Sequence, residues 1–152
     1  LQMANLYAAV ANNGTRYQPQ LVRERGILDQ RTFVADPNVM GTLDVPQEAI
    51  DMVKKGLCEV TTNQSSGTAA HIFNSSYDPS PLMSIGVCGK TGTAEDPANP
   101  GTHAWFIGYG PSPNPEIVVA VMVENAGEGS AVAAPLTKFI MEYYFFLRDD
   151  AQ

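Results

Sequence analysis

Between Gly89 and Glu95 the chain reads Gly-Lys-Thr-Gly-Thr-Ala-Glu, which places one ammonium and two hydroxyls close together. The ammonium of Lys90 attracts a carboxylate, and the hydroxyls of Thr91 and Thr93 can each donate a hydrogen bond to it. Gly92 lies between the two threonines. A glycine inside a strand often marks the close approach of a ligand or of another backbone. An apolar run from Ile85 to Cys88 leads into these residues, so a strand over Ser84–Thr93 is expected. With an exposed edge, such a strand suits a peptide that carries a carboxylate.

Other polar groups offer less. His71 and His103 have no serine, cysteine or second carboxylate in a catalytic arrangement, and His103 reads as a structural residue at a strand start. Glu95 and Asp96 precede Pro97, the setting of a solvated turn. Gly127-Glu-Gly129 has no lysine after it and is no phosphate loop. Cys58 and Cys88 form no Cys-x-x-Cys and have no paired histidines, so no metal site is expected. They read as two small buried residues, with a disulfide left open in an oxidising compartment. No cofactor is implied.

The elements around the motif can be read from periodicity. Met3, Leu6, Tyr7 and Val10 fall at helical spacing, and Asn13-Gly14 is a helix stop. Residues 15–36 read as short strands or a hairpin, with breaks at Gly26 and Asp29. A second helix carries Ile50, Val53, Leu57 and Val60 on one stripe. Asp44 is its expected cap, Gln47 completes a capping box, and Pro46 sits in the first turn. Residues 62–84 read as a long loop, a length usually kept for function. Strands follow at 104–109 and 116–124, and the second is apolar on both faces, so cover on both sides is expected. A helix over 132–147 has Pro135 in its first turn and Leu136, Phe139, Ile140, Tyr143 and Leu147 as its stripe. The aromatic run Tyr143–Phe146 reads as core plus surface, with a membrane-surface patch as the alternative.

The chain has 152 residues and is 44% hydrophobic and 16% charged, which suits one globular domain over 1–152. Its net charge is −7, and no basic cluster offers a footprint for phosphate backbones, so nucleic acid is excluded as a partner. No segment approaches the ~20 apolar residues of a membrane span. Leu1 opens inside a helical pattern, the look of a cut chain.

Lys90-Thr91-Gly92 resembles the third signature of the serine penicillin-binding proteins and β-lactamases. The longer run Gly-Lys-Thr-Gly-Thr-Ala-Glu is similar to the transpeptidase class. Leu1-Gln-Met-Ala with Ala11-Asn-Asn-Gly14, His103-Ala-Trp-Phe-Ile-Gly-Tyr109, and Val123-Glu-Asn125 leading to Ala133-Ala-Pro135 resemble class B enzymes in order and spacing. The His103–Tyr109 stretch looks most like the elongation-type members that build lateral cell wall. The resemblance implies an α+β fold, an antiparallel sheet flanked by helices with the Lys-Thr-Gly strand at its edge. It also implies a serine that attacks the D-Ala-D-Ala amide of a peptidoglycan stem peptide, is acylated, and passes the acyl group to an amine. β-Lactams stall at the acyl-enzyme. Lys90 would then serve electrostatics and proton transfer, Thr91, Gly92 and Thr93 would hold the substrate carboxylate, and the Thr93 N–H would supply half of an oxyanion hole. The family works outside the cytoplasmic membrane, usually on a membrane anchor.

The family also needs Ser-x-x-Lys and Ser-x-Asn before Lys-Thr-Gly. No serine here has a lysine three residues later. Ser112-Pro113-Asn114 matches the second pattern formally, but it follows the Lys-Thr-Gly strand and reads as a turn. The expectation is the C-terminal portion of a transpeptidase domain, inactive alone. The family's first two strands would then be missing, and strand 116–124 would pair with the missing half or with a second copy. The alternative is a non-catalytic binding module.

Overall fold

A computed structural model of the chain describes residues 1–27, 30–97 and 100–148. Helix α1 (Gln2–Ala11) ends at Asn13 and Gly14, whose φ values are 53° and 90°. The Gly14 N–H donates back to Ala9 O at 2.7 Å, the left-handed stop that Gly adopts without a Cβ penalty. Two small ribbons follow. β1 (Thr15–Tyr17) pairs with β4 (Val39–Thr42), and β2 (Glu24–Ile27) pairs with β3 (Gln30–Val34), both antiparallel. The hairpin is as expected, and the break at Asp29 lies outside the described residues. β4 has no apolar alternation to announce it, because Gly41 interrupts it at φ 129°.

Helix α2 (Gln47–Thr62) starts differently from the capping-box expectation. Pro46, extended at ψ 146°, is itself the N-cap, so Asp44 lies too far out to reach the first free N–H groups. The Gln47 amide donates along the helix to Asp51 Oδ1 at 2.9 Å. The stretch expected as a long loop contains α3 (Ala70–Phe73) and a 3₁₀ turn (Pro81–Ser84) capped by Ser80. That turn, with Gly86 at φ 75°, delays the next strand, which begins at Cys88 rather than Ser84.

The main sheet runs β5 (Cys88–Glu95), β6 (Thr102–Gly110) and β7 (Ile117–Val123) in that order, all antiparallel. Its two faces carry different side chains. Cys88, Tyr109 and Val118 share one register line and pack with Ala11 and Tyr7 of α1 and Leu57 and Cys58 of α2. On the other face Phe106 is fully buried with Ala104 and Val119 against Phe73, Leu82 and Met141. Phe73 and Phe106 stack there, their ring centroids 5.2 Å apart. This is an α+β fold with helices on both faces of an antiparallel sheet.

Two burial expectations are corrected. Cover on both faces of β7 is incomplete, since Ala120 is exposed and Met122 is 43% exposed. Helix α4 (Ala133–Glu142) meets the sheet through Ala133, Ala134, Thr137 and Met141, not through the predicted stripe. Small residues let the helix approach the sheet closely. The large side chains are turned away, with Phe139 63% exposed and Leu147 60%.

The reading of Cys58 and Cys88 as two separate buried residues is also corrected, because they form a disulfide. It joins α2 to the first residue of β5. Thr61, buried in α2, reinforces the junction through its hydroxyl, which bonds Cys58 O and Val87 O.

Beside the disulfide, the Tyr109 hydroxyl is buried with no hydrogen-bond partner among the described residues. Burial, and secondarily the Tyr7 phenol, push its pKa up to about 12. The unfolded phenol ionises at ~10, so the folded state holds the proton more tightly. Stability is therefore complete below pH ~10 and falls as pH rises from there toward 12. Tyr109→Phe removes an unsatisfied buried hydroxyl and should flatten this alkaline loss at little or no cost near neutrality. Thermal melts across pH 8–12 check it.

Candidate active site

β5 is an edge strand. One side pairs with β6, and its outer side has no strand partner among the described residues. Alternation sends Lys90, Gly92 and Ala94 to the α1 face, opposite Ile107, Trp105 and His103 of β6. Together with Met3 and Tyr7 of α1, the residues Lys90, Thr91, Gly92, Ala94, Trp105 and Ile107 line an open hollow of about 390 Å³. Lys90 is exposed at its rim, and its Nζ donates to Thr91 O at 2.8 Å and reaches Thr91 Oγ1 at 3.5 Å. Thr93 is exposed on the same strand. The four residues of the sequence-derived site are thus contiguous on an accessible edge, with the ammonium bonded to the neighbouring threonine.

Three supports of this strand were not legible in the sequence. Thr68, in the turn between α2 and α3, hydrogen-bonds Thr91, hydroxyl to hydroxyl, at 2.8 Å. The disulfide fixes the strand's first residue to α2. Gly129 lies directly over the strand. A Cβ there would stand 2.2 Å from Trp105 O, 2.4 Å from Gly92 O and 3.0 Å from Gly92 N. All three neighbours are backbone, so none can swing aside. Gly129 O also accepts from Ala134 N at 2.8 Å, which ties the contact to the start of α4. The composition of Gly127-Glu-Gly129 could suggest only a turn, whereas its contact with Gly92 is tertiary.

A single methyl group at Gly129 should therefore displace Gly92. We expect Gly129→Ala to destabilise the chain by about 1–3 kcal/mol, the usual cost of overpacking. Chemical denaturation of both forms measures it. A midpoint shift near zero would mean that Gly129 stands farther from β5 than described.

The other candidates fall into structural roles. The His103 ring accepts from Asn125 N–H through Nδ1 at 3.1 Å, and its Nε2 lies 4.0 Å from Asp96 Oδ2. It ties the end of β7 to the far end of β5. Ser112 sits in the β6–β7 turn, its N–H bonded to Ile85 O and Gly86 O, beyond the rung formed by Cys88 and Tyr109. That is the opposite end of the motif strand from Thr93.

The fold and the lysine–threonine edge coincide with a family match. Residues 1–142 match the penicillin-binding protein transpeptidase domain, and the chain belongs to that family. It is 33% identical to the peptidoglycan D,D-transpeptidase MrdA of Haemophilus influenzae over 95% of its own length and 23% of the relative's. The peptidoglycan D,D-transpeptidase PbpA of Mycolicibacterium smegmatis is 31% identical over 90% of this chain and 27% of its own. Among solved structures, penicillin-binding protein 2 of Pseudomonas aeruginosa in complex with WCK 5153 superposes with a TM-score of 0.71 at 32% identity. That match covers 98% of this chain and 29% of the other. The D,D-transpeptidase domain of a peptidoglycan glycosyltransferase from Eggerthella lenta gives 0.72 at 32% identity, covering 96% and 32%. The chain therefore spans about a quarter of the length of these curated relatives.

Proposed function

We propose that this chain is the C-terminal portion of a serine D,D-transpeptidase domain, and that β5 is the strand on which the acyl donor lies. The observation that carries the reading is the open edge of β5, with Lys90, Thr91 and Thr93 in line along it. A stem peptide can add to this edge as an extra strand, its backbone held by main-chain hydrogen bonds. Its terminal carboxylate meets the hydroxyls of Thr91 and Thr93 and the field of Lys90. A serine supplied from outside these residues attacks the carbonyl of the D-Ala-D-Ala amide. The Thr93 N–H shares the negative charge that develops on the carbonyl oxygen. The terminal D-Ala leaves with a proton as the acyl-enzyme forms. An amine from a second strand then takes the acyl group and frees the serine. Gly92 keeps the strand free of a side chain where the substrate backbone passes. β-Lactams carry a carboxylate and a strained amide in the same relation, so they acylate the same serine and remain there.

The site belongs on the outer side of a cytoplasmic membrane, where peptidoglycan is built. The disulfide supports this placement, because such bonds persist in oxidising compartments. No helix among the described residues is long and apolar enough to cross a membrane. The outer edge of β7, which has no strand partner among the described residues, accepts either the remaining part of the transpeptidase domain or a second copy of this chain. Sedimentation of the 152-residue chain alone should show self-association. A strict monomer with unprotected amides along β7 would contradict that.

The full-length protein, given a stem pentapeptide and a D-amino acid acceptor, should release D-Ala and form the exchanged peptide. Release of D-Ala without exchange would make it a carboxypeptidase. Neither product would favour a non-catalytic binding module.

A further inference from the structure

We propose that Thr68 is a positioning residue that orients the Thr91 hydroxyl toward a ligand carboxylate; this rests on the reading of β5 as the acyl-donor strand. Thr68 is held by the residues on either side of it. The preceding Gly67 is pressed onto the end of α2, where a Cβ would stand 2.5–2.7 Å from Glu59 O, Val60 O and Asn63 O. Its N–H donates to Asn63 O at 2.7 Å, and the N–H of the following Ala69 donates to Val60 O at 3.0 Å. Ala69 and Ala70 are buried in the core. Thr68 is thus an exposed residue between anchored neighbours, and its hydroxyl is delivered to one place, 2.8 Å from Thr91 Oγ1.

The hydrogen-bond count at Thr91 gives this contact its consequence. A threonine hydroxyl has one proton to donate and two acceptor positions, while a lysine ammonium only donates. The approach of Lys90 Nζ, 3.5 Å away, therefore draws on an acceptor position of Thr91 Oγ1 and never on its proton. If Thr68 donates into the second, neither contact uses the single Thr91 proton, which is left for the incoming carboxylate. A chain of hydroxyls ending on an anion polarises in this direction. Thr68 is exposed, so its own acceptor positions are open to solvent. Without Thr68, Thr91 must select its rotamer from solvent each time a ligand binds.

A loop brace would produce the same contact without this effect, and the two roles separate by ligand. The measurement is the acylation rate constant of the full-length protein with benzylpenicillin and with benzylpenicillin methyl ester, whose carboxylate is masked. The ratio of the two constants is independent of the fraction of protein that is folded. Thr68→Val keeps the side-chain shape and removes the hydroxyl. It should lower the benzylpenicillin-to-ester ratio roughly tenfold, the scale of one hydrogen bond. Thr68→Ser should restore the ratio. Thr91→Val should lower it as well, and the double variant should lose no more than Thr91→Val alone. An unchanged ratio in Thr68→Val, or additive losses in the double variant, overturns the role of Thr68 and leaves the active-site reading standing. An unsubstituted protein that reacts with neither compound overturns both.

Discussion

Replacing Lys90 by alanine in the full-length protein should slow acylation by benzylpenicillin roughly 10²–10⁴-fold, the range for loss of a positioned proton-transfer group. The fold should barely notice. Lys90 is exposed, and its hydrogen bonds go to Thr91, so stability should change by no more than about 0.5 kcal/mol. That contrast between chemistry and stability is the signature of a site residue. Lys90→Arg provides a second reading. Arginine keeps the positive charge but gives up no proton at working pH. If Lys90 acts only through its field on the carboxylate, Lys90→Arg retains most of the rate. If it also moves a proton, Lys90→Arg falls close to Lys90→Ala. Stopped-flow acylation with a chromogenic β-lactam measures all three forms. A Lys90→Ala rate within a few-fold of the unsubstituted protein, from a folded variant, would remove Lys90 from the mechanism.

The disulfide carries the largest expected effect on stability. Cys58 and Cys88 are 30 residues apart, and closing a loop of that size restricts the unfolded chain by about 3–4 kcal/mol in the chain-entropy description. The bond also joins α2 to β5 two residues before Lys90. Its loss should act twice. Cys58→Ala together with Cys88→Ala should lower the melting temperature of this chain by roughly 10 °C. Reduction with dithiothreitol should lower that of the unsubstituted protein comparably and leave the double variant unaffected. In the native, unreduced protein iodoacetamide should label neither cysteine. Labelling of both without a reductant would show that the bond is absent, and the α2–β5 junction would then rest on Thr61.

The motif strand was the most legible part of the molecule, because Lys90, Thr91, Gly92 and Thr93 are consecutive and need no tertiary knowledge to be grouped. Its neighbours were not. Thr68 and Gly129 meet β5 only through the path of the chain, 23 residues before Thr91 and 37 after Gly92, and neither has a composition that announces a role. The cysteine pair could not be decided from spacing, since a disulfide depends on where two Cβ atoms point. Helix α4 was placed correctly and turned to the wrong face. Its periodicity contains two candidate stripes, and the sheet takes the one built on Ala133, Ala134 and Thr137, which admits the closer approach. The large stripe, from Leu136 to Leu147, is left uncovered by the described residues. The capping box failed for a local reason, because Pro46 is the N-cap and the helix starts two residues past the position that Asp44 would need.

The proposed function divides the labour between a carboxylate-binding strand in this chain and a nucleophilic serine supplied from outside it. Intact mass after incubation with benzylpenicillin tests this most directly, on the 152-residue chain and on the full-length protein side by side. One penicilloyl adduct on the full-length protein and none on this chain is the predicted result. An adduct on this chain would place the nucleophile among its own serines and contradict the account.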